Sequence, residues 1–394
     1  MTGAVWTENL SVPVIAEYDV CVVGGGVAGV AAALAAAREG AKTCLIEKEY
    51  ALGGLATLGL IVIYLPLCDG RGRQVISGIS EELLRASLKY APGNLPACWA
   101  DASGDREARK TARYRTNFEA APFMIALEEL LLDAGVTLMY DSRFCGVRRE
   151  GRHVEGVIVE NKSGRVGIGA RMVVDATGDA DVCFAAGEKT VSSAANVCTG
   201  WYFSQGKDGV QLRGVSDPIH GAVPPGHRYY AGDRHDDVTQ HAVDGRRMIM
   251  RDVTARRAAG DEGLYPLIIP AYDGMRMTRR LSGAYELDES EAFVDFEDSI
   301  GMTGDWRKPG PVFALPWRTL VGTRNDNLAA AGRCISVTTD MWDITRVIPT
   351  AAVTGQAAGL GAALAARQGI ALNELSASRL QDALRQNGVI IEKP

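Results

Sequence analysis

The chain has 394 residues, 47% hydrophobic and 23% charged, with eight cysteines and a formal net charge of −6. That length buries a large core and accommodates two domains, and the composition is that of a globular protein. The negative balance supplies no long-range attraction for nucleic acid or an anionic membrane, and the cysteines never form C-x-x-C, which argues against a redox disulfide, an iron–sulfur cluster or a zinc site.

Residues 1–17 lack a basic region followed by an apolar core, so no secretory signal is expected there, only a short extension before the first strand. Val20, Cys21, Val22 and Val23 then form an apolar run suited to a buried parallel strand. Gly24, Gly26 and Gly29 follow in G-x-G-x-x-G spacing: the first for a tight turn, the second for close backbone approach to a pyrophosphate, the third for helix packing. Val27 and Ala28 open an alanine-rich helix that runs to Arg38. Its N-terminus turns free N–H groups and a positive dipole end towards a diphosphate. A second strand, Thr43 to Ile46, ends at Glu47, where a carboxylate can accept hydrogen bonds from a ribose diol. Lys48 and the segment Gly53-Gly54-Leu55-Ala56-Thr57 extend the site towards a longer phosphate–ribityl arm, as FAD requires.

At these residues the chain resembles the FAD-dependent oxidoreductases with a glutathione-reductase-type FAD domain. Within them it looks most like the single-flavin family distantly related to the succinate dehydrogenase and fumarate reductase flavoproteins. Onward, Ile76 to Tyr90 reads as a helix, and Pro92 to Thr111 as a polar excursion or lid. A helix from Ala121 to Ala134 and a strand from Val136 to Tyr140 precede Arg143–Val147, Val154–Val159 and Arg165–Ile168, an antiparallel meander with turns at Glu150-Gly151 and Ser163-Gly164. The resemblance places the first of these near the adenine, with Phe144 either a contact or a structural strand residue. Met172 to Asp175 reads as a buried strand running into Ala176-Thr177-Gly178, similar to the A-T-G segment that closes over the nucleotide in such flavoproteins.

From Val182 to about Gly310 the nucleotide-binding pattern disappears. A helix from Asp237 to Ala259, a strand piece Leu267–Ile269, and four histidines (His220, His227, His235, His241) fall here, without metal-ligand spacing; no metal is expected. The family carries a similar arginine-rich strand before an Asp-Ser-Ile-Gly segment, which implies that Gly274 to Gly283 is that strand. Arg276 and Arg280 would then face one side of it, either binding a substrate carboxylate or tying domains together through acids such as Asp295. Asn327 to Ser336 resembles the segment that returns under the flavin, with Gly332 and Arg333 at its turn. Arg346, Val347 and Ile348 lead through Pro349 into a helix reaching Ala366. Its N-terminus would face the pyrimidine edge of the flavin, where reduction places negative charge, and Gly355 and Gly359 permit close helix packing. A last helix spans Ser376 to Gln386.

The expected fold is therefore α/β: a Rossmann-like FAD-binding domain (1–185 and 311–394), a parallel sheet with an antiparallel meander, interrupted by an inserted α+β substrate domain (186–310). The expected activity is hydride transfer between a small organic substrate and flavin N5, with Arg276, Arg280 and Arg346 as catalytic residues and no separate NAD(P)H domain. Two alternatives stand beside it, a fumarate-reductase-like reduction of an activated double bond and a non-catalytic flavin-binding assembly protein. The cofactor is FAD, bound without a covalent link. The expected partner is a small-molecule substrate, with neither nucleic acid nor membrane, while an electron acceptor and a homo-oligomer stay open. The dispersed, apolar-flanked cysteines point to a cytoplasmic location.

Overall fold

The computed structural model describes residues 5–101, 104–198, 201–217 and 222–392. The strands of its main sheet are β1 (Val14–Val23), β2 (Thr43–Ile46), β3 (Thr137–Met139), β4 (Arg143–Glu150), β5 (His153–Asn161), β6 (Gly164–Asp175) and β7 (Leu328–Ala330). The order is β3-β2-β1-β6-β5-β4, and β7 lies beside the C-terminal end of β6. β1, β2, β3, β6 and β7 run parallel, whereas β4 and β5 form the antiparallel meander on β6. Val20 to Val23 are buried on both faces: Val20 and Val22 pack with the helical core, and Cys21 and Val23 with a second cluster that includes Val157, Val159 and Val182.

Two strands are longer than their sequence pattern suggests. β1 begins at Val14 rather than beyond residue 17: its largely exposed N-terminal half pairs with Gly167 to Ala170 on β6. Arg165–Ile168 and Met172–Asp175 belong to one 12-residue strand, since ladder partners on both sides hold Gly169 between them extended. Conversely, the helix expected from Ile76 spans only Ile79–Ala86. Gly78 adopts φ 65°, and the Gln356 side chain accepts the Ile79 N–H at 2.9 Å, so the chain turns there before helix begins.

The middle of the chain leaves the main sheet. A hairpin, Trp201–Gly206 with Gly209–Gly214, takes a third strand, Tyr265–Ile268, on its free edge. A long helix, His235–Ala258, packs beside it through Ile249 and Val253. The arginine-rich segment is not a strand from 274 to 283: only Arg279–Leu281 is extended, paired with Thr190–Ser192, and Arg276 lies in the preceding loop.

Two buried helices make the centre of the core, α1 (Val27–Arg38) and α2 (Ile348–Gln368). They cross at backbone contact: a Cβ on Gly355 would sit 2.2 Å from the Ala28 carbonyl oxygen, and one on Gly359 would sit 1.9 Å from that of Ala32. Gly359→Ala is therefore expected to force the helices apart, at the typical overpacking cost of about 1–3 kcal/mol or more. The measurable outcome is a lower melting temperature together with reduced FAD content; a variant with wild-type melting would refute the contact.

Candidate functional site

The turn after β1 builds the first wall. Gly24 adopts φ +104°, and a side chain there would meet the Ala176 carbonyl oxygen at 2.4 Å, so the end of β6 closes directly over it. Gly26 is the N-cap of α1 and offers no side-chain cap, while a Cβ placed on it would find no atom within 4 Å. The turn thus leaves free volume over uncapped N–H groups at a positive dipole end, the shape and polarity a diphosphate requires. Glu47 ends β2 beside it. One carboxylate oxygen accepts the Gly25 N–H at 2.6 Å and the other the Glu49 N–H at 2.9 Å. Burial pushes its pKa up, against those two N–H donors and the nearby Lys48 cation.

α2 delivers a second uncapped N-terminus, with Val347 as N-cap, to the same place. Gly24, Gly26, Val27, Ala28, Glu47, Lys48, Gly54, Leu55, Ala56, Phe144, Ala176, Thr177, Gly178, Gly332, Arg333, Arg346, Val347 and Ile348 all line one cavity of about 680 Å³, and Arg276 joins them. Three predicted residues do not. Gly29 packs α1 onto the turn, where a Cβ would stand 1.8 Å from the Gly24 oxygen. Thr57 is buried with its hydroxyl donating to Leu52 O at 2.6 Å. Arg280 faces elsewhere, its Nη2 3.3 Å from Glu286 and its guanidinium 5.4 Å from the centre of the Trp342 ring, so it has no part in this site.

Cations are concentrated here. Arg346 is ion-paired with Asp343, and burial pushes its pKa down. Arg333 donates to Met275 O at 2.7 Å and lies 3.4 Å from Asp179, whose carboxyl is pushed up by burial. Burial opposes the charge of Lys48, yet Tyr272, Asp179 and Glu47 together hold its pKa above the ordinary value; its ammonium sits 4.7 Å from the centre of the Tyr272 ring.

The sequence reading missed the walls supplied by distant segments: Trp201, Phe203, Val210 and Leu212 from the hairpin, Tyr272 from the loop before Arg276, and Trp306. Alternation within 201–214 is the one signal that could have found some of them, since Trp201 and Phe203 share a face and Leu212 lies opposite Phe203. The stretch Pro92–Thr111 contributes no wall among its described residues: Trp99 is buried and stacks on Tyr114 with ring centres 4.9 Å apart, so this is packing rather than a lid. His241 is buried between Asp273, which its Nδ1 contacts, and Val197 O, 3.1 Å from its Nε2. His220 lies outside the described residues.

A parallel sheet with a glycine turn and acid after its first two strands, an antiparallel meander, and a second helix N-terminus on the same cavity define a dinucleotide-binding flavoprotein. The family model for FAD dependent oxidoreductases matches residues 19–200 and 220–384, and the chain belongs to that family: it is an FAD-dependent enzyme. Among solved structures it is similar to BexE, from a study of oxidation during BE-7585A biosynthesis, at 14% identity over 94% of this chain and 66% of that one, with a TM-score of 0.50. It also matches a geranylgeranyl bacteriochlorophyll reductase-like protein of Thermoplasma acidophilum, at 17% identity over 94% and 83% of the two chains with a TM-score of 0.48. A flavocytochrome c3 fumarate reductase matches at 16% identity over 90% and 79%, with a TM-score of 0.44. At these identities the likeness concerns the fold alone.

Glu47→Ala removes the acid at the end of β2. Hydrogen bonds to a charged group contribute about 1.5–3 kcal/mol, so FAD affinity is expected to fall roughly 10- to 100-fold, with melting temperature falling through lost ligand linkage. Acid precipitation of the wild type should leave the flavin in the supernatant; a yellow pellet would show a covalent link instead.

Proposed function

We propose that this enzyme moves a hydride equivalent between a small organic substrate and flavin N5, with the substrate seated against the hairpin and the loop of Arg276. The supporting observation is the continuity of the cavity: the nucleotide turn, Glu47 and the start of α2 share it with Trp201, Phe203, Leu212, Tyr272 and Arg276. FAD, when bound, supplies the two-electron chemistry. The protein supplies position and field. The α1 N-terminus and Glu47 hold the nucleotide end, while the α2 N-terminus and Arg346 favour negative charge at the other. The hairpin's apolar side chains keep water from the reacting faces. In this reading 1–185 and 311–394 carry the cofactor and 186–310 carry the substrate.

The arginines also favour a second reading, reduction of a double bond activated by a carboxylate, in which the same site runs with electrons delivered to the flavin. Anaerobic mixing with a metabolite library, followed by flavin absorbance, separates the two. Bleaching by a substrate supports dehydrogenation; reoxidation of the pre-reduced enzyme by an unsaturated acid supports reduction. The absence of any response would sink both. NADH and NADPH are expected to bleach the flavin slowly or not at all, because the sequence carries a single dinucleotide fingerprint, at Gly24; rapid stoichiometric bleaching in stopped flow would contradict this.

A further inference from the structure

The cavity holds two buried donors that find no acceptor among the described residues, the Nε of Arg276 and the indole Nε1 of Trp201. Both residues line it, and the guanidinium carbon of Arg276 stands 5.8 Å from the centre of the Trp201 ring. The neighbouring arginines each have a carboxylate: Arg346 is held by Asp343, and Arg333 lies near Asp179. Arg276 makes no ion pair among the described residues, and the carboxylate that acts on it, Asp343, already serves Arg346 and Arg307. Burial, reinforced by the Arg346 and Arg333 cations, pushes the Arg276 pKa down to about 9, which still leaves it charged at neutral pH. A buried guanidinium without a counter-charge is unfavourable. Its backbone is held in place, because Asn196 Oδ1 accepts the backbone N–H groups of both Arg276 and Met277 at 2.9 Å.

We propose that Arg276 and Trp201 form a carboxylate subsite for a substrate with an apolar body. One uncompensated positive charge matches a monoanion, and two N–H donors on the wall of one cavity match the two oxygens of a carboxylate. Phe203, Val210 and Leu212 line the same cavity from the hairpin, and Val210 and Leu212 are among the exposed large hydrophobic residues, so an aliphatic or aryl body has an apolar wall to cover. The inference rests on the reading that the cavity takes a substrate beside FAD.

Calorimetric titration of the FAD-loaded enzyme with acetate, hexanoate and hexanamide tests it. Hexanoate should bind saturably and at least tenfold more tightly than acetate, since each buried methylene adds to affinity, and hexanamide should bind far more weakly. Arg276→Gln should weaken hexanoate roughly 10- to 100-fold with FAD content unchanged, and Trp201→Phe, which keeps the ring and removes the donor, about two- to tenfold. The proposal is overturned by no saturable heat with hexanoate, by equal affinity in Arg276→Gln, or by loss of FAD from that variant as from Glu47→Ala, which would assign the arginine to the diphosphate. Should Arg276→Gln fail to fold, Arg276→Lys must still prefer hexanoate over hexanamide and Trp201→Phe must still weaken it; failure of either refutes the subsite. An enzyme that binds hexanoate through Arg276 but is reduced by no metabolite would retain the subsite and lose the redox reading, and the converse result would do the opposite.

Discussion

The backbone contact between α1 and α2 is the constraint on which the site depends. With Gly355 and Gly359 lying on the Ala28 and Ala32 carbonyls, the two helices are closer than side chains would permit, and they point both N-termini at one cavity. Residues 320 positions apart in sequence, Ala28 and Ile348, line the same cavity as a result. The contact also explains the composition. α1 is buried from Val27 to Ala36, and α2 from Pro349 to Ala366; a helix covered on every side can be apolar all round, and alanine and glycine keep it thin enough to be covered. Neither helix caps its first turn with a side chain, which leaves the N–H groups there for whatever the cavity holds.

The charge distribution around that cavity follows the same division of labour. Glu47, with each oxygen accepting a backbone N–H group, is fixed in place by the protein itself. Arg346 is clamped by Asp343, itself in contact with Arg307, so its field is present while its side chain is not free to roam. Arg276 is the exception: largely buried, held by its backbone, and without a carboxylate of its own among the described residues. Charge left uncompensated in a cleft is more often a property of ligand recognition than of stability.

Much of the cofactor half was legible in the sequence because its requirements are local and steric. Gly24 needs a positive φ and closeness to Ala176, Gly29 needs contact with the Gly24 carbonyl, and Glu47 needs only to end a four-residue strand. Such demands leave short, fixed spacings. The rest was hidden because it depends on contacts across long stretches of chain. β6 reads as two strands until its partners on either side are known, and a helix begun at Ile76 is cut short by Gly78 and a glutamine 277 residues away. The wrong strand for Arg276 and Arg280 has the same origin: an even spacing predicts a shared face only if the backbone is extended throughout, and it is extended only from Arg279.

The loop that carries Tyr272 and Arg276 shows how a segment without regular structure can still be rigid. Its start donates from Ala271 and Tyr272 to the Leu58 carbonyl, beside the flavin turn. Asp273 meets the buried His241 of the long helix, Met275 O accepts from Arg333, and Asn196 takes the N–H groups of Arg276 and Met277. These anchors come from four separate parts of the chain, so the loop is fixed only when the cofactor half and the middle region have both folded. Preorganisation of this kind lowers the ordering cost of binding, and it places on the cavity wall a guanidinium that has no ion pair among the described residues. The position of Arg276 is therefore a property of the assembled fold rather than of its own segment, which is why a strand implied by family resemblance misplaced its backbone.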